Sequence, residues 1–236
     1  MYKRILLKLS GEALGSRARN LDPEVLKNTA EEIKEVTDLG TEVAIVVGGG
    51  NMLRGKFASE MNMDRVLADK IGMLGTMMNA LALKNALENE GVKAVVMSAI
   101  QMDKIAELAD AEKAISYLEE GKVVIFGCGV GNPYFSTDSC AALRAAEVKA
   151  EIILMGKNGV DGVYSADPNV DKSAVKYDII TYNEVLIQNL NVIDLTGIGM
   201  SEQANIETFV FNMGEKHNIR NAVLGTAVGT KIVVKE

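Results

Sequence analysis

Tryptophan is absent from this 236-residue chain, histidine occurs once, cysteine twice, and aromatic residues make up only 5%. With His217 as the single imidazole, no Ser/His/Asp or Cys/His catalytic arrangement is available beyond that one ring. His217 itself reads as a structural residue near the C-terminal part of a short helix. Cys128 and Cys140 fit neither a disulfide framework nor a paired metal motif, and read as small buried hydrophobes. Positive charge is also scarce. Lys plus Arg total 25 against 32 acidic residues, a net charge of −7, which argues against a nucleic-acid-binding surface but permits a small anionic ligand wherever cations gather locally. The opening MYKRILLKLSGEALG has too short an apolar run for a signal peptide, and no later stretch reads as long enough to span a membrane, so the expected location is the cytoplasm. Linkers, repeats and low-complexity segments are lacking too, which predicts a single domain over residues 1–236.

What is present is alternation. Runs rich in Val and Ile alternate with amphipathic stretches, the pattern of strands buried on both faces between helices. Strands are predicted at Arg4–Leu9, Glu42–Val47, Val92–Met97, Lys122–Phe126, Glu151–Met155, Thr208–Asn212 and Thr230–Val234. A first helix begins at the Asp22-Pro23 pair and ends before Gly40; a long one runs from Asp64 to Glu90, signalled by Leu74, Met77, Met78 and Leu81, with Gly91 beyond it. Another spans Asp110–Glu120, Asp138 reads as the cap of the next, and Thr181 with Glu184 has the form of a capping box.

Glycine is concentrated where predicted strands end: KLSGEALG at Lys8–Gly15, GGGN at Gly48–Asn51 and GCGVGN at Gly127–Asn132. In a parallel α/β sheet such loops emerge together at the carboxyl edge, where their N–H groups and adjoining helix N-termini form an anion cradle. Gly50 to Phe57 has the spacing of a Walker A loop, but Phe57 stands where the Mg²⁺-ligating hydroxyl belongs and Lys56 lies beyond a turn that ends at Asn51. A dinucleotide fingerprint fits no better, because Asn132 occupies its third glycine position. Two nucleotide phosphates facing each other repel by roughly 4 kcal/mol per unit pair at ~4 Å with an effective dielectric near 20. Lys8 and Arg54, with a metal ion, are the cations placed to offset that. In KNGVDGVYSADP, Tyr164 either stacks on a base or packs at a strand end; Asn158, Asp161 and Asp167 either hold ribose hydroxyls or a hydrated metal, or belong to a surface hairpin.

Taken in order, KLSGEALG, VVGGGNMLRG, GNPYFSTDS and VDGVYSADP resemble the bacterial UMP kinases (uridylate kinases) of the amino acid kinase family, over essentially the whole chain. The resemblance implies an α/β fold, a three-layer αβα sandwich around a mainly parallel sheet, a homohexamer, and transfer of the ATP γ-phosphoryl group to UMP with Mg²⁺. By position it implies an ATP side of Lys8, Leu9, Ser10, Gly11, Gly50, Arg54, Asn158, Tyr164 and Asp167. The UMP side would be Gly49, Asp69 and the run Val130, Gly131, Asn132, Pro133, Tyr134, Phe135, Ser136 and Thr137, and Lys8, Arg54, Asp138 and Asp194 would surround the reacting phosphates. It also implies inhibition by UTP and an effector role for GTP. Val130 stands where many relatives carry threonine, which bears on pyrimidine selectivity, and the loop Gly15–Asn20 is poorer in glycine than its counterpart, so altered or absent GTP control is expected. The alternatives are a carbamate or amino acid kinase of the same fold, and a nucleotide-binding storage or regulatory protein.

Overall fold

The computed structural model describes residues 1–53 and 60–235. Nine strands form one sheet: β1 (Arg4–Leu9), β2 (Glu42–Val47), β3 (Ala94–Ser98), β4 (Glu107–Leu108), β5 (Val123–Gly127), β6 (Ile152–Lys157), β9 (Ile179–Thr181), β10 (Glu207–Asn212) and β11 (Gly229–Val233), in the order β4-β3-β5-β2-β1-β6-β10-β11-β9. All neighbours pair in parallel except β10 and β11. A separate antiparallel pair, β7 (Val163–Tyr164) and β8 (Lys176–Tyr177), realises the hairpin alternative for the third turn-rich segment.

The strands are apolar on both faces because helices cover both. Ile5, Leu7, Leu9, Val43, Ile45 and Val47 pack beneath α1 (Pro23–Thr37), α2 (Arg65–Asn89) and α7 (Asn218–Leu224). The alternate set, Leu6, Ala44, Val46, Val124 and Phe126, faces α3 (Ala111–Glu119) and α4 (Thr137–Glu147). Residues beyond Met155 on that second face join α5 (Tyr182–Ile187) and α6 (Leu195–Gln203) in a third cluster around Tyr182. This is the αβα sandwich that the resemblance implies, and it agrees with the alternation of buried strands and helices. Sequence winds outward from β1 through β2 on one side and resumes at β6 on the other, so β1 is the switch point where a crevice opens at the carboxyl edge.

Two readings of α2 change. Of the four residues that signalled it, Met77 is buried, whereas Leu74, Met78 and Leu81 are exposed; the core stripe is Met73, Met77, Ala80, Leu83 and Leu87. The helix is uncharged from Ile71 to Leu83, and by length and composition it is apolar enough to cross a membrane, which corrects the expectation that no stretch is. Here its inner face is packed against the sheet. His217 is also relocated: it precedes α7 rather than ending a helix, with its ring Nδ1 2.7 Å from Glu35 Oε1 and its backbone N–H donated to Glu32, so it ties α7 to α1.

Candidate active site

Period-two alternation along β1 sends Lys8 to the same face as Leu6, toward the N-terminus of α4. There Lys8 Nζ stands 2.8 Å from Asp138 Oδ1, with both side chains largely buried. The pair is ionic, for Asp138 Oδ1 receives no directed hydrogen bond. On the neighbouring strand, Lys8 aligns with Met155, and Lys157 lies one alternation further along the same face. Its ammonium donates to the Val192 carbonyl at 3.2 Å. Burial first, then the charge of Lys8, pushes the Lys157 pKa below the ordinary lysine range, while Asp138 opposes that shift. Two lysines and one aspartate thus meet at the end of β1 and β6.

The start of α4 explains why Asp138 is available. Ser136, not Asp138, is the N-cap: its Oγ accepts from the N–H of Asp138 at 2.9 Å and of Ser139 at 3.2 Å. Asp138 therefore lies in the first turn, where its carboxylate is free to face Lys8. The Ser136 hydroxyl also donates to Asp194, as does Ser139 Oγ at 3.3 Å. Asp194 caps α6 by accepting from the Gly197 N–H at 2.9 Å. The N-termini of two helices, each carrying partial positive charge, consequently sit beside the lysine pair.

The first two glycine loops touch each other. A Cβ on Gly11 would stand 2.3 Å from Asn51 Oδ1 and 2.8 Å from the Gly48 carbonyl oxygen, so only glycine permits this approach. Gly49 is equally confined, its would-be Cβ 2.5 Å from the Gly72 carbonyl oxygen on α2. Ser10 precedes the 3₁₀ turn Gly11–Leu14 without a side-chain cap. Leu9 offers nothing polar: its side chain is in the core and its carbonyl accepts from the Gly48 N–H at 2.8 Å.

Two cavities open near the lysine cluster, the second lined by Lys157 and neither lined by Lys8. One of about 300 Å³ is lined by Gly49, Asp69, Asn132, Phe135, Ser136 and Thr137 among the expected acceptor-side residues, by Gly50, which was expected on the ATP side, and also by Arg65 and Cys140. Asp69 accepts from Arg65 Nε at 2.8 and 2.9 Å and from the Tyr134 N–H at 2.8 Å, while the Arg65 guanidinium lies 5.4 Å over the Tyr134 ring. Gly131 follows Cys128 through a backbone turn, and Val130 packs against the core cluster of Val46 and Phe126. Pro133 lies between Asn132 and the exposed Tyr134. Burial pushes the Cys140 thiol up to about 12, which makes it inert at neutral pH. The second cavity, about 450 Å³, is lined by Lys157, Tyr164, Asp167 and the stretch Gln188–Val192. Asp167 accepts from the Asn169 N–H at 2.9 Å, and Tyr164 donates to Asp161 at 2.6 Å. Asn158 lines neither of these; it borders a larger acidic cleft of about 940 Å³ beside α1. Arg54 lies outside the described residues.

Lys157 is the charged residue that the sequence reading passed over. The expected strand ends at Met155 with KNG as a turn, whereas continuing the alternation of Ile153 and Met155 by one step places Lys157 on the face of Lys8.

Residues 3–212 match the amino acid kinase family. The chain belongs to that family. A uridylate kinase of Pediococcus pentosaceus is 52% identical over 98% of this chain and 96% of its own length, and one of Limosilactobacillus reuteri 54% identical over 98% and 97%. Among solved structures, UMP kinase from Ureaplasma parvum superposes with a TM-score of 0.94 at 42% identity, covering 99% of both chains. UMP kinase from Bacillus anthracis gives 0.96 at 40% identity, covering 100% of this chain and 97% of that one.

Proposed function

We propose that this chain is an ATP-dependent UMP kinase, a phosphotransferase whose acceptor is a phosphate group. The observation that carries the reading is the Lys8–Asp138–Lys157 cluster near two cavities at the switch point of an amino acid kinase sheet. Relatives more than half identical over nearly the full chain, called uridylate kinases, support UMP as acceptor. UMP occupies the cavity of Asp69 and Thr137, and ATP the cavity of Tyr164 and Asp167, with the β- and γ-phosphates over Gly11 and Gly50. Among the described residues no group of three or more Asp, Glu, His or Cys stands close enough to hold a resident ion; Mg²⁺ enters as part of the ATP substrate.

The chemistry requires no general base. A phosphomonoester has its second pKa near ~6, so the attacking oxygen of UMP is already anionic at neutral pH. The work left to the chain is alignment and charge neutralisation. Lys8 and Lys157 face the charge that develops between donor and acceptor, the α4 and α6 N-termini add their dipoles, and Asp138 holds the Lys8 ammonium in place. Arg54 is assigned to the phosphates by its place in the sequence alone. A homohexamer, a cytoplasmic location, inhibition by UTP at the UMP cavity and altered or absent GTP control complete the proposal.

The test is ADP release from Mg²⁺-ATP with UMP, CMP, dUMP, AMP, aspartate, glutamate and carbamate supplied one at a time. Turnover with UMP alone supports the assignment; turnover with an amino acid or carbamate overturns the substrate, and ATP binding without turnover points to the storage or regulatory class. Lys8→Ala should reduce kcat by about 10²–10³-fold, the size of effect seen when one preorganised charge-stabilising group is removed. Unchanged turnover would remove Lys8 from the mechanism.

A further inference from the structure

The buried residue Asn79, on the inner face of α2, is fully enclosed, yet a leucine would fill the same space without a polar group to satisfy. Its amide is completely used. Nδ2 donates to the Gly48 carbonyl at 2.7 Å and to Asn51 Oδ1 at 2.7 Å, and Oδ1 accepts from Asn51 Nδ2 at 3.0 Å. The second hydrogen of Asn51 Nδ2 goes to the Asn20 carbonyl at 2.6 Å. Two side-chain amides therefore face each other reciprocally, and each sends its remaining N–H to one backbone carbonyl. Gly11 of the first glycine loop rests directly on this pair, close to Asn51 Oδ1. One turn earlier on α2, Thr76 Oγ1 accepts from the Cys128 N–H at 2.8 Å and donates to the Met73 carbonyl at 2.7 Å, which anchors the third glycine loop to the same helix.

We infer that Asn79 and Asn51 are positioning residues for phosphoryl transfer: their paired amides act as a spacer that fixes the first glycine loop relative to the second. The inference rests on the reading of those loops as phosphate-binding. Neither amide needs to touch a substrate for this. A spacer sets the gap between the loop that cradles the donor phosphates and the loop that borders the acceptor, and a displacement of about 1 Å between reacting groups is sufficient to lose about 10²-fold in rate. A residue that merely satisfied the Gly48 carbonyl would affect stability without affecting turnover per folded molecule.

The two roles separate in a comparison of Asn79→Asp and Asn51→Asp with the unsubstituted chain. Asp at 79 deprives the Gly48 carbonyl and Asn51 Oδ1 of their donor and sets an anion against them; Asp at 51 deprives the Asn20 carbonyl and Asn79 Oδ1 of theirs but leaves the bond from Asn79 to Gly48 in place. Kinetics with Mg²⁺-ATP and UMP are measured where each variant is fully folded by circular dichroism, and each nucleotide's affinity is measured alone by calorimetry. Positioning predicts kcat lowered by about 10–100-fold, more for Asn79→Asp, with each separate affinity within about threefold of the parent. A kcat within twofold of the parent in both variants overturns the inference. So does a kcat loss matched by an equal loss of affinity for one nucleotide, because the pair would then belong to a single binding site. If Asn79→Asp does not fold, Asn51→Asp decides by the same criteria. Absence of UMP-dependent turnover in the parent itself is a different result, and removes the kinase reading instead.

Discussion

Placing Lys157 under desolvation next to Lys8 gives it an unusual titration. Burial and the neighbouring ammonium hold its pKa below the unfolded-chain value, so between the two values the folded state binds fewer protons than the unfolded state, and stability rises with pH across that window. Activity should move the other way. If the charged form neutralises the transferring phosphoryl group, kcat/KM falls on the alkaline side with an apparent pKa below that of an ordinary lysine, ~10.4. Bound phosphates favour the ammonium, so the same limb in kcat should lie at higher pH than in kcat/KM. Lys157→Arg, whose guanidinium stays protonated, should remove that limb; a limb that persists unchanged assigns it to another group. Ser136 gives a second residue-level expectation. It caps α4 and also donates to Asp194, so Ser136→Ala should cost about 1 kcal/mol, or about 2–4 °C in Tm for a chain of this size, measured by differential scanning calorimetry. A shift under 1 °C would show that Ser139 and the helix dipole suffice.

Elements differ in how much of themselves they wrote into the sequence. The bounds of strands β1 and β2 coincide with the sequence expectation because both faces are covered and their interiors are apolar apart from Lys8, with Arg4 and Glu42 at the starts. Strand β6 runs two residues past its expected end because a lysine at a strand's carboxyl edge looks like the start of a turn unless the face it shares with Met155 is considered. Helix α6, LTGIGMSEQ, was not foreseen; two glycines and a threonine give it low intrinsic propensity, and it forms through the Asp194 cap and the burial of Ile198. For α2 the period was legible but not the face, since an apolar stripe that meets a partner chain and one that meets the core look alike in sequence. Leu67, Leu74, Met78 and Leu81 leave a row of exposed apolar side chains on its outer side, 38–54% accessible. That row fits the proposed homo-oligomer, so Met78→Glu should lower the mass measured by light scattering toward the 25.3 kDa monomer while leaving the far-ultraviolet spectrum unchanged. An assembly of undiminished mass would exclude this face from the interface.

At the scale of the whole molecule, the sheet brings together segments that the chain keeps far apart: Lys8 from its start, Asp138 from its middle, Lys157 and Asp194 from its second half. The cavity proposed for UMP is lined by residues of α2 and the start of α4, and the cavity of Tyr164 and Asp167 has Lys157 in its wall. If ATP and UMP occupy them at once with their phosphates meeting at the lysines, one molecule that carries adenosine and uridine on a shared polyphosphate chain should fill both. Tethering makes the second binding event intramolecular, so such a bisubstrate analogue with five phosphates should bind at least about 10²-fold more tightly than ATP or UMP alone. Lengths matter in a specific way. A four-phosphate chain lacks the group that spans from the γ-position to the UMP phosphate, and should lose most of the gain, whereas a single shared site would be indifferent to chain length. Calorimetric titration of the two analogues decides the point: equal affinities, no better than ATP, would mean that the two cavities are not used together and that the cluster does not lie between two bound nucleotides.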